Sequence, residues 1–350
     1  MTNIEIARQR LFNQHVATQE FKKPAEIVQY MGAVQAQDYA GAKWAIGSRL
    51  QKSKDAAIDK AMAAGSIIRT HVLRPTWHFV TPSDARWMIE LTAPRINMLA
   101  AGRHRQLKLD SKTLKLSNDV LAKALEGNRQ LNRFELSNAL HKANIDTSEQ
   151  RLVHILMQAE LDKVICSGGR QGKQFTYALF NDRVPKGNDF THDEAVAELV
   201  KRYFVSRGPA TLHDFTWWSG LTVADAKNGL EASKGELVSI DINGLAYWNG
   251  KHQPPMDSRA PLAYLLPAYD EFAVAYGDRT AIVNPKYLTQ ARYVIFAPSI
   301  VINNQVVGTW KRTIRKNEAE VNLELFGKLN KAHTTAVEAA IKRYQRFING

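Results

Sequence analysis

A chain of 350 residues suggests two or three domains at roughly 150 residues each, and 45% hydrophobic with 23% charged residues is the content of a packed globular protein. Disorder, collagen and coiled coil are excluded. No apolar run reaches the ~18–20 residues of a membrane helix, and the opening Met1-Thr2-Asn3-Ile4-Glu5 lacks a basic segment followed by an apolar core, so a soluble, cytoplasmic protein with no membrane partner is expected. The single cysteine, Cys166, permits no internal disulfide and no cysteine-based zinc site, and neither a metal nor a cofactor is expected. The balance of 47 Lys+Arg against 34 Asp+Glu leaves a net charge of +13, which favours a polyanionic partner, nucleic acid first. The positive charges are dispersed, so charge points to a partner and identifies no chemistry.

One supersecondary pattern recurs along the chain: helix, short helix, helix, then two strands around a turn. In the first copy it reads as helices over 4–14, 24–31 and 39–50, an inserted helix over 55–64, and a hairpin of 67–72 with 76–80. The middle copy is clearest, with helices over 118–126, 133–143 (apolar Phe134, Leu136, Leu140) and 148–163 (Leu152, Val153, Leu156, Ala159 at helical spacing). Strands 164–166 and 175–179 follow, separated by the glycine- and cation-bearing stretch 167–174. The third copy has helices over 191–207, 212–218 and 220–231, then strands 237–240 and 245–248 around Asn243-Gly244, a strong hairpin turn. After Lys251, Pro254, Pro255, Pro261 and Pro267 mark a connector. Strands over 293–302, 305–314 and 320–326 and a helix over 332–347 close the chain. The expected fold is α+β: three tandem winged-helix units (1–100, 101–188 and 189–252) followed by a C-terminal antiparallel β-meander with a terminal helix (253–350).

The chain has no GxxxxGK[ST] loop, GxGxxG, HExxH or GxSxG. Its distinctive element is Ala33-Val34-Gln35-Ala36-Gln37-Asp38, between a helix stopping near Gly32 and the next one. In an extended segment residues two apart face the same side, so Gln35 and Gln37 would project together. A carboxamide orients a water molecule but cannot hold its proton at neutral pH, so such a pair suits a leaving group that is already activated. Solvated or cap-like glutamines are the plainer alternative. Asp38 is the nearest carboxylate, and either caps the helix from Tyr39 or assists as an auxiliary group.

In the first hairpin, Arg69, His71, Arg74, Trp77 and His78 combine phosphate donors with an aromatic able to stack or wedge against bases, although Trp77 suits a core equally and the histidines suit structural hydrogen bonds. Arg170 and Lys173 in the second wing are candidate backbone contacts or solvated tips. Trp44, Trp217 and Trp218 on helices read as core, and Asp270 and Glu271 as caps or salt-bridge partners.

The sequence resembles the bacterial AlkZ/YcaQ-type winged-helix DNA glycosylases over most of its length. The resemblance rests on Val34-Gln35-Ala36-Gln37, the hairpin 68–79, Leu265-Leu266-Pro267-Ala268-Tyr269-Asp270-Glu271-Phe272, and Gly308-Thr309-Trp310-Lys311-Arg312. It implies that Gln35 and Gln37 are the catalytic pair, that Lys311 and Arg312 belong to the DNA-binding set, and that keeping glutamine at the second position places the chain nearer the AlkZ branch. The expected activity is monofunctional, excising N7-alkylguanine from double-stranded DNA by glutamine-positioned water attack, with interstrand crosslinks as further substrates, acting as a monomer on nucleoid DNA. The alternatives are a non-catalytic winged-helix regulator and a damage sensor that binds adducts without cutting.

Overall fold

Helix α1 (Asn3–Asn13) opens on a capping box, in which Thr2 Oγ1 accepts the Glu5 N–H at 3.3 Å and the Glu5 carboxylate accepts the Thr2 N–H at 2.7 Å. The computed structural model describes residues 1–187, 190–253, 256, 262–294, 296–315 and 318–350. Helix α2 (Pro24–Met31), the two-residue strand β1 (Val34–Gln35), α3 (Tyr39–Gly47) and α4 (Asp55–Ala63) come next, then strands β2 (Ile68–His71) and β3 (Trp77–Val80). A 25-residue helix α5 (Pro82–Gln106) contains Pro94 and has no counterpart among the elements read from sequence. Then come α6 (Ser111–Leu125), β4 (Leu131–Asn132), α7 (Arg133–Lys142), α8 (Arg151–Leu161), β5 (Ile165–Gln171), β6 (Gln174–Leu179) and α9 (Phe180–Arg183). The next run is α10 (His192–Arg207), α11 (Leu212–Ser219), α12 (Val223–Ala232), β7 (Leu237–Ile242) and β8 (Leu245–Gly250). The C-terminal region holds β9 (Ala263–Leu266), α13 (Glu271–Val274), β10 (Ser299–Ile302), β11 (Gln305–Arg315), β12 (Glu318–Leu325) and α14 (Lys331–Asn349).

The fold is mixed α+β in two compact units, Met1–Ile58 with Val196–Gly350, and Asp59–Ala195. This division does not fall at 100, 188 and 252: residues 59–100, expected in the first repeat, join 101–195 instead. The second unit contains the antiparallel pair β2–β3 and the sheet β4-β6-β5, flanked by α6, α7 and α8. Its core is leucine-rich, with Leu121, Leu125, Leu136, Leu140 and Ile155 fully buried. Phe134, expected on that apolar face, is 73% exposed; it lies two residues from Leu136, and only the i, i+4 pair Leu136 and Leu140 shares the inward side.

In the first unit, α10 to α12 precede the β7–β8 hairpin, with Ala210 bridging antiparallel to Trp248. Here Tyr203, Phe204, Phe215 and Trp218 pack edge-on or tilted against one another, and buried Asp214 accepts the Gly277 and Asp278 N–H groups at 2.9 and 3.2 Å. Trp217, expected in the core, is 43% exposed, its indole donating to Val274 O at 3.2 Å. The C-terminal sheet is antiparallel in order β12-β11-β10-β9, one strand more than the meander read from sequence, because Ala263–Leu266, placed in a proline connector, pairs with β10. The first meander strand is shorter than 293–302: Gln290–Tyr293 is a 3₁₀ turn and pairing begins at Ser299, after Pro298, which has no N–H to give a ladder. Pro254, Pro255 and Pro261 lie outside the described residues. Among the described residues no helix is long and apolar enough to cross a membrane.

Candidate active site and nucleic-acid contacts

Helix α2 stops at Gly32, whose φ of +73° is strained for any residue with a Cβ. The chain then runs extended through β1. Gln35 is only 6% exposed; its N–H donates to Glu271 Oε1 at 2.9 Å, and its side-chain Oε1 is buried with no hydrogen-bond partner among the described residues. Leaving a buried acceptor unpaired costs on the order of 1–3 kcal/mol, which marks this oxygen as a place for a hydrogen-bond donor such as water. Ala36 is buried and Gln37 is exposed. The two glutamines therefore differ in environment, one set into the protein and one at its surface.

Asp38 occupies the N-cap position of α3, yet its side chain makes no capping bond. Its carboxylate is 41% exposed and lies 3.9 Å from Arg312 Nη2, while Arg312 Nη1 donates to Tyr344 OH at 3.2 Å. Room for this carboxylate comes from Gly41: a Cβ there would sit 2.6 Å from Asp38 Oδ2 and 3.3 Å from Pro267 Cβ.

The stretch 265–272 is the scaffold beneath this segment. Leu265 O accepts Trp44 Nε1 at 2.7 Å and Leu266 O accepts Trp310 Nε1 at 2.9 Å. Asp270 does two jobs: it caps α13 by accepting the Phe272 N–H at 2.9 Å and takes Arg49 in a bidentate pair at 2.8 and 2.9 Å. Glu271, 1% exposed, pairs with fully buried Arg207. Three of the sequence motifs thus meet in the first unit. Arg207 and Gly41 were missed by sequence reasoning; an isolated glycine inside a helical pattern was the available signal for Gly41, whereas nothing local marks Arg207.

The hairpin residues are engaged by their own unit. Arg69 is 9% exposed, its N–H donates to Ser167 Oγ at 2.8 Å, and its guanidinium lies 4.4 and 4.8 Å from the rings of Trp77 and Phe175. His71 is 4% exposed, with Nδ1 2.6 Å from Glu160 Oε2 and its ring 4.6 Å from that of Trp77. Both side chains are therefore packed against neighbours of their own unit rather than standing out from its surface. Trp77 is half-buried between them, and His78 is buried with Nδ1 3.0 Å from Thr76 O. Arg74 is half-buried beside exposed Pro75 at the hairpin turn. Lys173 is exposed at the β5–β6 turn, and Arg170 lies 3.8 Å from Asp59 and donates to Lys173 O at 3.1 Å. Lys311 is exposed on β11. Burial holds the His104 and His154 imidazoles below their ordinary range, with the rings 5.3 Å apart. Among the described residues no group of three or more His, Cys, Asp or Glu is placed to hold a metal.

The model of the family described as DNA glycosylase AlkZ-like matches residues 28–347. An interstrand DNA cross-link repair glycosylase of Streptomyces sahachiroi is 24% identical over 306 residues, 82% of this chain and 81% of its own length. The solved structure of S. sahachiroi DNA glycosylase AlkZ aligns with a TM-score of 0.80 at 21% identity, covering 99% of this chain and 96% of that one. On the strength of a family match that spans nearly the whole chain, the protein belongs to the AlkZ-like DNA glycosylases.

Proposed function

We propose that this glycosylase excises N7-alkylguanine from duplex DNA by direct attack of water, with Gln35 and Gln37 orienting the nucleophile. The observation that carries the reading is the Gln35 carboxamide, buried with an unmet acceptor and two residues before exposed Gln37. N7-alkylation leaves the base cationic, so the C1′–N9 bond breaks with its electron pair passing to the neutral departing base. Positive charge develops on deoxyribose. The carboxamide oxygens and the Asp38 carboxylate face that charge favourably. Water then adds to C1′, its extra proton passes to solvent, and an intact abasic strand remains. No lysine adduct forms.

The helix–strand–helix–helix–strand–strand run of 111–179, and the related run of 192–250, are read as winged helices that lay a helix and a wing on DNA. Lys173, Arg170, Arg74, Lys311 and Arg312 are the proposed phosphate contacts, while Arg69, His71 and Trp77 keep the first hairpin rigid. Interstrand crosslinks are included as substrates because the S. sahachiroi relative is named for their repair. The protein is taken to act as a monomer.

The test is to incubate methylated duplex DNA with the enzyme and analyse both products. The reading expects free 7-methylguanine, persistent abasic sites and no borohydride-trapped protein–DNA adduct. Trapping, or methylated DNA left free of abasic sites, overturns it.

A further inference from the structure

The donors of Arg207 are fully committed. Nε and Nη2 donate to Glu271 Oε2 at 2.9 and 2.8 Å, Nη2 also to Ala33 O at 2.7 Å, and Nη1 to Met31 O and Ser206 Oγ at 2.7 and 2.8 Å. A guanidinium has five N–H donors, and all five are used. The second Glu271 oxygen accepts the Gln35 N–H at 2.9 Å, and Trp218 Nε1 donates to Oε2 at 3.1 Å. One buried ion pair therefore holds three backbone groups of the 31–35 segment: two carbonyls on either side of Gly32 and the amide of Gln35. The left-handed turn at Gly32 is what lets the Met31 and Ala33 carbonyls reach the same guanidinium.

We propose that Arg207 and Glu271 are positioning residues for catalysis, fixing the backbone from which Gln35 presents its carboxamide. The role rests on the water-orienting reading of Gln35. It goes beyond holding the fold together, because the pair's backbone contacts fall on the segment carrying the catalytic side chain, and a reacting group displaced by about 1 Å loses on the order of 10²-fold in rate. A lysine at 207 has three donors on one nitrogen and cannot span Glu271 and both carbonyls.

The test measures single-turnover release of 7-methylguanine by wild type, Glu271→Gln and Arg207→Lys with enzyme in excess, alongside affinity for a duplex containing a tetrahydrofuran abasic analogue and the melting temperature. Asp214→Asn, which weakens a different buried carboxylate of the same unit, is the control for general loss of stability. The expected result is a release rate at least about ten-fold lower in both ion-pair variants, DNA affinity within two-fold of wild type, and a wild-type rate for Asp214→Asn at a comparable fall in melting temperature. Gly32→Ala, which leaves both charges in place and strains only the turn, replaces an ion-pair variant that does not fold, with the same expectation. Wild-type rates in these variants, or a matching loss in Asp214→Asn, overturn the proposal. If Gln35→Ala is inactive while Glu271→Gln is fully active, the positioning role alone fails. If Gln35→Ala is itself fully active, the water-orienting reading fails and takes the positioning role with it.

Discussion

Gly41→Ala separates the Asp38 carboxylate from the stability of the helix that carries it. Gly41 lies inside α3, where alanine is favoured over glycine by roughly 0.8–1.0 kcal/mol, which in a unit of this size raises the melting temperature by about 2–4 °C per kcal/mol. The added Cβ would stand 2.6 Å from Asp38 Oδ2 and 3.1 Å from its Cγ. Because the side chain is 41% exposed, the carboxylate can swing into water at little cost, but it must retreat by about 1 Å to reach ordinary contact. The 3.3 Å approach to Pro267 Cβ offsets part of the helix gain. For a carboxylate about 4 Å from a developing unit charge at an effective dielectric of 20, a retreat to 5 Å gives up roughly 0.8 kcal/mol, about four-fold in rate. Gly41→Ala is thus expected to melt no lower than wild type while releasing 7-methylguanine about four-fold more slowly, a rate between those of wild type and Asp38→Asn, which gives up the whole interaction. Single-turnover release and calorimetry on the same preparations check this. A wild-type rate for Gly41→Ala beside an impaired Asp38→Asn would refute the reasoning that the location of this carboxylate matters.

Lys173→Ala should weaken DNA binding and reduce the slope of log affinity against log salt by about 0.9, the share of one phosphate contact; Arg69→Lys should leave that slope unchanged and lower the melting temperature by breaking the stack between Trp77 and Phe175. A changed slope for Arg69→Lys would return it to the DNA-contact set. Burial, reinforced by Arg49, pushes His15 down from 6.5 to about 4. The folded state then holds a neutral imidazole that the unfolded chain protonates below 6.5, so stability present above pH 6.5 falls as pH drops toward 4, by about 3 kcal/mol for this group. His15→Asn, which tolerates the φ of +56°, should flatten the loss of melting temperature between pH 7 and 4.5; an unchanged acid limb would discount His15. Burial pushes the Cys166 thiol up to about 12, so a thiol reagent at pH 8 should label the denatured protein and leave the native one unlabelled over the same time.

The repeated helices and hairpins were legible because their signals are local. Asn243-Gly244 sets the β7–β8 turn, and leucines four apart define the face of α7, whereas α6, read as starting at 118, begins at Ser111 behind the Asp110 cap. Helix α5 was not legible: Pro94 interrupts its pattern, and a proline within a run ordinarily ends a helix. The glutamine segment could be found as a motif, but its support could not. Arg207 meets Met31, Ala33 and Glu271 across 176, 174 and 64 residues of chain, and no spacing rule reaches that far. The packing of Arg69 was hidden for a different reason. A strand with one wet face alternates, whereas Ile68, Arg69, Thr70 and His71 are all buried, so a cation there is packed rather than presented.

Single-turnover release of 7-methylguanine from methylated duplex DNA by Gln35→Ala and Gln37→Ala, set beside their affinity for an abasic-analogue duplex, bears most directly on the mechanism. A fall in rate of roughly 10²-fold or more for each, with binding within two-fold of wild type, is the expected outcome. Release at the wild-type rate by both variants would contradict it and send the search for the water-orienting groups elsewhere in the chain.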